Sequence, residues 1–105
     1  MPETLTKYGI PASTLHKLMD VFKPYPTIQT IILYGSRAKG TYQPGSDIDL
    51  CLIAPTLTIE EQLQLENQID DLLLPWKVDL TVQHRIDSEN LLKHIKRVGV
   101  IFSNF

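Results

Sequence analysis

The sequence lacks the features that mark secreted, membrane-spanning and nucleic-acid-coating proteins. Its single cysteine, Cys51, has no second cysteine in the chain with which to form a disulfide bond, which excludes a disulfide-stapled secreted scaffold. No apolar run approaches the ~20 residues needed to cross a bilayer, and the first residues contain no apolar stretch of the kind found in signal peptides. The net charge of -2 provides no excess of basic residues for binding a long nucleic-acid backbone. We therefore expect a cytoplasmic protein that binds neither membranes nor long nucleic acids.

A chain of 105 residues, with 43% hydrophobic and 21% charged residues, has the size and composition of one ordinary globular domain. A domain of this size buries roughly two-thirds of the surface of its unfolded chain, which is enough for a core without disulfide or metal staples. We predict a single domain over residues 1–105. Because such a domain leaves no chain for a separate substrate platform, we expect a large substrate to be presented by another molecule.

Apolar periodicity and turn residues predict alternating helices and strands. Helices are predicted where apolar residues recur three and four positions apart, and strands where apolar residues alternate or are β-branched. The predicted elements are a helix over 12–23, strands over 27–34 and 47–53, a helix capped by Thr58 and reaching Leu74, a strand over 77–82, a helix between Ser88 and Gly99, and a short strand over 100–102. This order is typical of an α/β or α+β fold in which helices pack on a β-sheet.

The helix after Thr58 has a recognisable beginning and end. Thr58 and Glu61 have the spacing of a capping box, and Pro75 closes the helix. The apolar positions that we expect to form its buried face are Ile59, Leu63, Ile69, Leu72 and Leu73.

Three aspartates occupy predicted strands and oppose the apolar face of each strand. Asp47 and Asp49 are two residues apart, so their side chains leave the same face with Cα atoms about 6.5–7 Å apart. If the strand that carries Asp79 is a neighbour, three carboxylates converge, and close carboxylates resist joint ionisation unless a cation neutralises them. Oxygen ligands favour Mg²⁺ or Mn²⁺, and two such ions about 3.5–4 Å apart clamp the attacking and leaving oxygens of a phosphoryl transfer.

A glycine-punctuated loop follows the first predicted strand. Gly35 has no side chain, so a phosphate can approach the backbone closely. Ser36 is suited to the N-cap of the following turn, where its hydroxyl and nearby N–H groups face an anion. Arg37 and Lys39 add positive charge beside the acidic patch, which suits a polyphosphate lying between the two. The loop is neither a Walker A loop nor a Rossmann fingerprint.

Each of these features has an ordinary structural explanation when it is taken alone. A Gly-Ser turn after a strand is usually structural, a lone Asp-x-Asp at a strand edge is more often solvated than metal-bound, and Asp79 could lie exposed on an open sheet face. Their combination is more specific, because each feature supplies a different part of one site.

The combination resembles a known family. Gly35-Ser36, ten further residues and Asp47-Ile48-Asp49 are similar to the signature of the DNA-polymerase-β-like nucleotidyltransferase superfamily. The fuller stretch over residues 33–50 resembles the minimal branch of that superfamily, the MNT proteins of prokaryotic HEPN–MNT toxin–antitoxin pairs. The order of elements and the length also match, so the resemblance covers essentially the whole chain and implies a nucleotidyltransferase-type mixed β-sheet with helices packed on it.

The resemblance also implies an activity and a partner. MNT proteins of this type transfer AMP from ATP to a tyrosine of a cognate HEPN-family toxin and so silence it, which implies a hetero-oligomer. By position in the motif, Asp47 and Asp49 would hold two Mg²⁺ ions, with Mn²⁺ as the alternative metal. Asp79 would complete the catalytic metal site and orient or deprotonate the attacking hydroxyl. The residues implied for the triphosphate are Gly35, Ser36 and Arg37.

Two other functions remain compatible with the sequence. The protein could be a non-catalytic antitoxin that neutralises the HEPN toxin by binding alone, in which case neutralisation would survive loss of Asp47 and Asp49. It could also be a nucleotidyltransferase with a small-molecule acceptor, a reading against which the absence of an acceptor domain weighs.

Overall fold

The computed structural model describes residues 8–104, and this part of the chain forms four α-helices and four β-strands. The elements in chain order are α1 (Ala12–Phe22), β1 (Thr30–Tyr34), α2 (Gly35–Lys39), β2 (Ile48–Ile53), α3 (Ile59–Asp70), β3 (Val78–Val82), a 3₁₀ turn (Gln83–Arg85), α4 (Glu89–Val98) and β4 (Val100–Asn104). The predicted α+β fold is confirmed. Within the described residues, no helix combines the length and the apolar character needed to cross a membrane.

The four strands form one mixed sheet in the order β3-β2-β1-β4. β1 pairs antiparallel with both β2 and β4, whereas β2 and β3 are parallel because α3 carries the chain back between them. The register places Tyr34 opposite Asp49, and Asp49 opposite Asp79. Residues that face each other across strands share one face of the sheet, so these three side chains lie in a row.

The two faces of the sheet are covered by helices to different extents. Helices α1 and α3 cover one face with a large apolar core, which includes Leu18 and Phe22 from α1 and Leu65 and Ile69 from α3. Helix α4 covers part of the other face, where Ile95 packs in a smaller cluster that includes Tyr34 and Cys51. The row of Tyr34, Asp49 and Asp79 belongs to this second, less fully covered face.

The N-terminal cap of α3 is as predicted, but the length and the buried face of the helix are not. The capping box of Thr58 and Glu61 is present, and the helix ends at Asp70, four residues before the predicted Leu74. Leu65 is fully buried, whereas Leu63 is 54% exposed. Two residues correspond to a rotation of about 200° around a helix, so Leu63 and Leu65 lie on opposite faces. The predicted face was therefore wrong at three positions, and the exposed ones are Ile59, Leu63 and Leu73.

Truncation of the two leucines tests this orientation of α3. We expect Leu65→Ala to lower the free energy of unfolding by about 2–5 kcal/mol, because it leaves a cavity in the core. Leu63→Ala removes an exposed side chain and is expected to change it by less than about 0.5 kcal/mol. Urea unfolding followed by far-UV circular dichroism measures both variants, and a larger loss for Leu63→Ala than for Leu65→Ala would mean that α3 turns the Leu63 face to the core.

Candidate functional site

The carboxylates of Asp49 and Asp79 lie side by side at one end of the sheet. Their residues are direct partners in the parallel β2–β3 pair, and neighbouring strands are about 4.8 Å apart. Asp49 is half-buried and Asp79, on the edge strand, is exposed. The condition on which the sequence analysis depended, that these two strands are neighbours, is thus met.

Asp47 lies one residue before β2 and is exposed, so it belongs to the loop that enters the strand and not to the strand itself. Its charge still reaches Asp49. Burial raises the pKa of Asp49 to about 6, with further upward contributions from the charges of Asp79 and Asp47, while Lys77 and Arg37 act in the opposite direction. The charges of Asp79 and Asp47 therefore both act on Asp49 and oppose its ionisation.

The residues present fit Mg²⁺ bound together with a nucleotide better than they fit a closed metal cage. Among the described residues, no three Asp, Glu, His or Cys side chains stand close enough together to enclose an ion by themselves. Mg²⁺ is commonly held by one or two carboxylates together with water and substrate phosphates, an arrangement that the open carboxylates of Asp47, Asp49 and Asp79 can supply. The individual ligand assignments stay predictions.

Gly35 is required by the carboxylate beside it. Its φ of +73° lies in the left-handed region, and a Cβ at this position would stand 3.1 Å from Cγ of Asp49 and closer still to Oδ2. The same turn lets the chain pass directly from β1 into α2 at Gly35. The N-cap of α2 is therefore Tyr34, and Ser36 lies inside the first turn, not at the N-cap where the sequence analysis placed it. Ser36 remains next to Gly35 and half-buried.

Arg37 lies one residue further along α2 and is only 1% exposed. The sequence analysis assigned it to the triphosphate. In the structure its guanidinium donates hydrogen bonds to backbone carbonyl oxygens of Tyr8, Gly9, Pro44 and Ser46. Burial lowers the pKa of this group, and Tyr42 and Asp49 act in the opposite direction. Of the side chains whose burial is described, Arg37 is the one charged group that is buried.

Two further side chains lie near the row of Tyr34, Asp49 and Asp79, and the sequence analysis assigned neither of them a role. The His94 ring meets the Tyr34 ring edge-on, with centroids 6.1 Å apart, which places α4 against the end of the row. Of the two cations that lower the pKa of Asp49, Lys77 has the larger effect and Arg37 the smaller. Its position two residues before Asp79 was a usable signal, since alternate residues of an extended chain share a face. The position of His94 had no such signal, because it depends on how α4 crosses the sheet.

Two cavities lie elsewhere in the described structure. One, of about 470 Å³, is formed between α4 and β4, with Ile95 and Ile101 among its lining residues. The other, of about 290 Å³, follows the edge of β3 near Arg85 and Ser88. None of the three aspartates lines either of these two cavities.

A mixed sheet with helices on both faces, a Gly-Ser turn after its first strand and paired aspartates on the neighbouring strands define a nucleotidyltransferase-type domain. Residues 16–104 match the family described as "Polymerase beta, Nucleotidyltransferase". The match covers most of the chain, and the protein belongs to this family. The resemblance read from the motif is thereby confirmed. A search of curated protein sequences found no match.

Similar solved structures come from toxin–antitoxin complexes. A chain of a toxin–antitoxin complex with AMP-PNP is 26% identical, with a TM-score of 0.69 over 87% of this chain and 73% of that chain. A chain from the complex of tri-AMPylated Shewanella oneidensis HEPN toxin with its MNT antitoxin is 22% identical, with a TM-score of 0.65 over 89% and 71%. A chain of the MntA–HepT complex is 22% identical, with a TM-score of 0.64 over 89% and 72%. At 22% identity the last two establish the fold alone.

Two glycines separate the effect of the Asp49 contact from that of backbone conformation. Gly40 also has a positive φ, +81°, but a Cβ there would meet open space. We expect Gly40→Ala to cost about 1–2 kcal/mol of unfolding free energy, from the left-handed conformation alone. Gly35→Ala should cost more, because Asp49 must also move. Urea unfolding measures the difference, and equal costs would contradict the contact between Gly35 and Asp49.

The raised pKa of Asp49 makes the stability of the metal-free protein depend on pH. The folded protein binds the Asp49 proton at a pKa of about 6, compared with an ordinary value of 3.8 for the unfolded chain. The stabilisation from the protonated carboxyl is complete below about pH 4 and is lost as the pH rises through about 6. Asp49→Asn removes this loss. We therefore expect the variant to gain stability relative to wild type between about pH 4 and about pH 7.5.

Urea unfolding in the presence of a chelator, repeated across this pH range, measures the difference between wild type and Asp49→Asn. Asp20→Asn, at an exposed position on α1, is the matched control and should follow wild type. A difference that stays constant with pH would show that Asp49 titrates at its ordinary value.

Proposed function

We propose that this protein is a Mg²⁺-dependent adenylyltransferase that transfers AMP from ATP to a tyrosine of a HEPN-family toxin and so acts as its antitoxin. Family membership supports nucleotidyl transfer. The similar chains found in toxin–antitoxin complexes, one with AMP-PNP and one with AMPylated HEPN toxin, support the donor nucleotide and the partner. The observation that carries the proposal is the register that puts Asp49 beside Asp79, with Gly35 packed against Asp49.

The residues divide between binding and reaction. Asp47 and Asp49 would hold the two Mg²⁺ ions, which when bound neutralise charge on the triphosphate and on the leaving pyrophosphate. Gly35 and Ser36 would take the triphosphate beside them, since the turn at Gly35 has no side chain to exclude a phosphate. Exposed on the edge strand, Asp79 would orient the acceptor hydroxyl and accept its proton.

The reaction is a phosphoryl transfer in which positioning and charge neutralisation do most of the work. The tyrosine oxygen attacks the α-phosphorus of ATP and forms a new O–P bond. The bond from that phosphorus to the bridging oxygen breaks, and pyrophosphate leaves with the electron pair. The hydroxyl proton passes to the Asp79 carboxylate.

The exposure of Asp79 at the edge of the sheet favours a macromolecular acceptor. Small-molecule sites are usually concave and enclose most of their ligand. The aspartates line neither described cavity, and Asp79 is exposed at the sheet edge. A partner protein can bring a tyrosine to the aspartates without an enclosing pocket. The partner itself would then complete the site in a hetero-oligomer.

Intact mass spectrometry of the HEPN-type partner tests the proposal. After incubation with this protein, ATP and Mg²⁺, we expect the partner to gain mass in whole AMP units. Asp49→Asn should reduce the rate at least about 100-fold, because loss of a metal ligand removes several kcal/mol of transition-state stabilisation. Asp20→Asn should transfer AMP at the wild-type rate.

Failure of the proposal has two distinguishable forms. A stable complex without mass gain, together with toxin neutralisation that survives Asp49→Asn, would identify an antitoxin that acts by binding alone. AMP transfer to a panel of small hydroxyl acceptors, with none to the partner, would identify a small-molecule nucleotidyltransferase.

A further inference from the structure

The guanidinium of Arg37 uses all of its hydrogen-bond donors inside the protein. An arginine side chain has five N–H donors. In Arg37, Nε donates to Ser46 O at 3.1 Å, and Nη1 donates to Tyr8 O at 3.0 Å and Gly9 O at 3.2 Å. Nη2 donates to Ser46 O at 2.8 Å and Pro44 O at 3.4 Å. A phosphate could bind this group only by displacing carbonyl oxygens that have already satisfied it.

Two aromatic rings enclose the same group. Cζ of Arg37 lies 5.1 Å from the ring centroid of Tyr42 and 5.6 Å from that of Trp76, within the range of cation–π attraction. Nε1 of Trp76 donates to Pro44 O at 2.8 Å. This indole therefore contacts the guanidinium and also supports one of the carbonyls that accept from it.

The hydrogen bonds tie the loop before β2 to helix α2. Ser46 O accepts from two nitrogens of Arg37, and the residue after Ser46 is Asp47. The loop closes on itself as well, because Gln43 N donates to the Ser46 hydroxyl at 2.8 Å and Ser46 N donates to Gln43 O at 3.0 Å. Arg37 itself is the second residue after Gly35, so the two halves of the signature meet at its side chain.

We infer that Arg37 is a positioning residue that sets the place of Asp47 relative to Gly35-Ser36 and makes no contact with the triphosphate. The inference rests on the proposed function, since the place of Asp47 matters only if its carboxylate binds metal. The motif suggests that Arg37 contacts the triphosphate. The inference instead gives it an indirect role, in which it supports the loop that carries the metal-binding Asp47.

The two roles respond differently to Arg37→Lys. Lysine keeps the positive charge, so a phosphate contact would partly survive, but it has three donors and no planar fork, so it cannot reproduce five hydrogen bonds to four carbonyls. Residues that orient metal ligands typically change metal affinity 10–100-fold when they are lost. We expect Arg37→Lys to weaken metal binding about tenfold and to change nucleotide affinity at saturating metal less than about twofold.

Mn²⁺ titration of the nucleotide-free protein, followed by the electron paramagnetic resonance signal of free Mn²⁺, measures metal affinity without any turnover. Calorimetry with a non-hydrolysable ATP analogue at saturating Mn²⁺ measures nucleotide affinity. The control is Lys17→Met, which removes an exposed cation from α1 and should leave Mn²⁺ affinity within about twofold of wild type. Mn²⁺ affinity unchanged in Arg37→Lys, with weaker binding of the analogue, would overturn the inference.

A second variant covers the case in which Arg37→Lys does not fold. Trp76→Phe keeps a smaller aromatic ring at this position and removes the hydrogen bond to Pro44 O. A folded Trp76→Phe protein should bind Mn²⁺ more weakly than wild type, and unchanged affinity would overturn the inference, because a purely structural role lowers stability without changing metal affinity.

Asp49→Asn separates failure of this inference from failure of the proposed function. If this substitution leaves Mn²⁺ affinity unchanged, the metal site itself is wrong and the inference falls with it. If it weakens Mn²⁺ binding while Arg37→Lys does not, the site stands and only the positioning role of Arg37 is overturned.

Discussion

The contact between the Asp49 carboxylate and the backbone of Gly35 constrains the rest of the site. It requires a residue without a side chain at the end of β1, and the positive φ of that residue starts α2 at once. On the neighbouring strand β3, Asp79 is the direct partner of Asp49 in the register. Two carboxylates are thus held next to each other on neighbouring strands, where burial and the charge of Asp79 oppose the ionisation of Asp49.

Arg37 resolves a different electrostatic problem. A buried charge is costly unless its donors are all satisfied, and the guanidinium meets this condition with four carbonyls and two aromatic faces. Its acceptors come from residues 8–9 and 44–46, segments that have little regular structure of their own. One side chain therefore fixes both segments against α2, which explains why a buried charge stands at a place where an apolar side chain could fill the space but could not bind the carbonyls.

The sequence predicts features that depend on local spacing and misses those that depend on distant segments. The Gly-Ser turn, the aspartates and the cap at Thr58 are each encoded within a few residues, and the structure contains all of them. The sequence could not show which of Leu63 and Leu65 is buried. Both fit an amphipathic helix, and only the position of the sheet decides which one faces the core. The environment of Arg37 could not be predicted either. Its acceptor Tyr8 is 29 residues away in the chain, and the residue type suits a phosphate as well as it suits a carbonyl.

The difference between the two sheet faces explains how the fold tolerates two neighbouring acids, Asp49 and Asp79. Side chains of α1 and α3 close the large apolar core on one face. On the opposite face α4 covers only part of the sheet, so a carboxylate such as Asp79 keeps its contact with water at the edge strand. Hydrophobic stabilisation is supplied by the covered face and is independent of the ionisation of Asp49. The carboxylates of Asp49 and Asp79 can therefore lie together on the less covered face without weakening the core that α1 and α3 close.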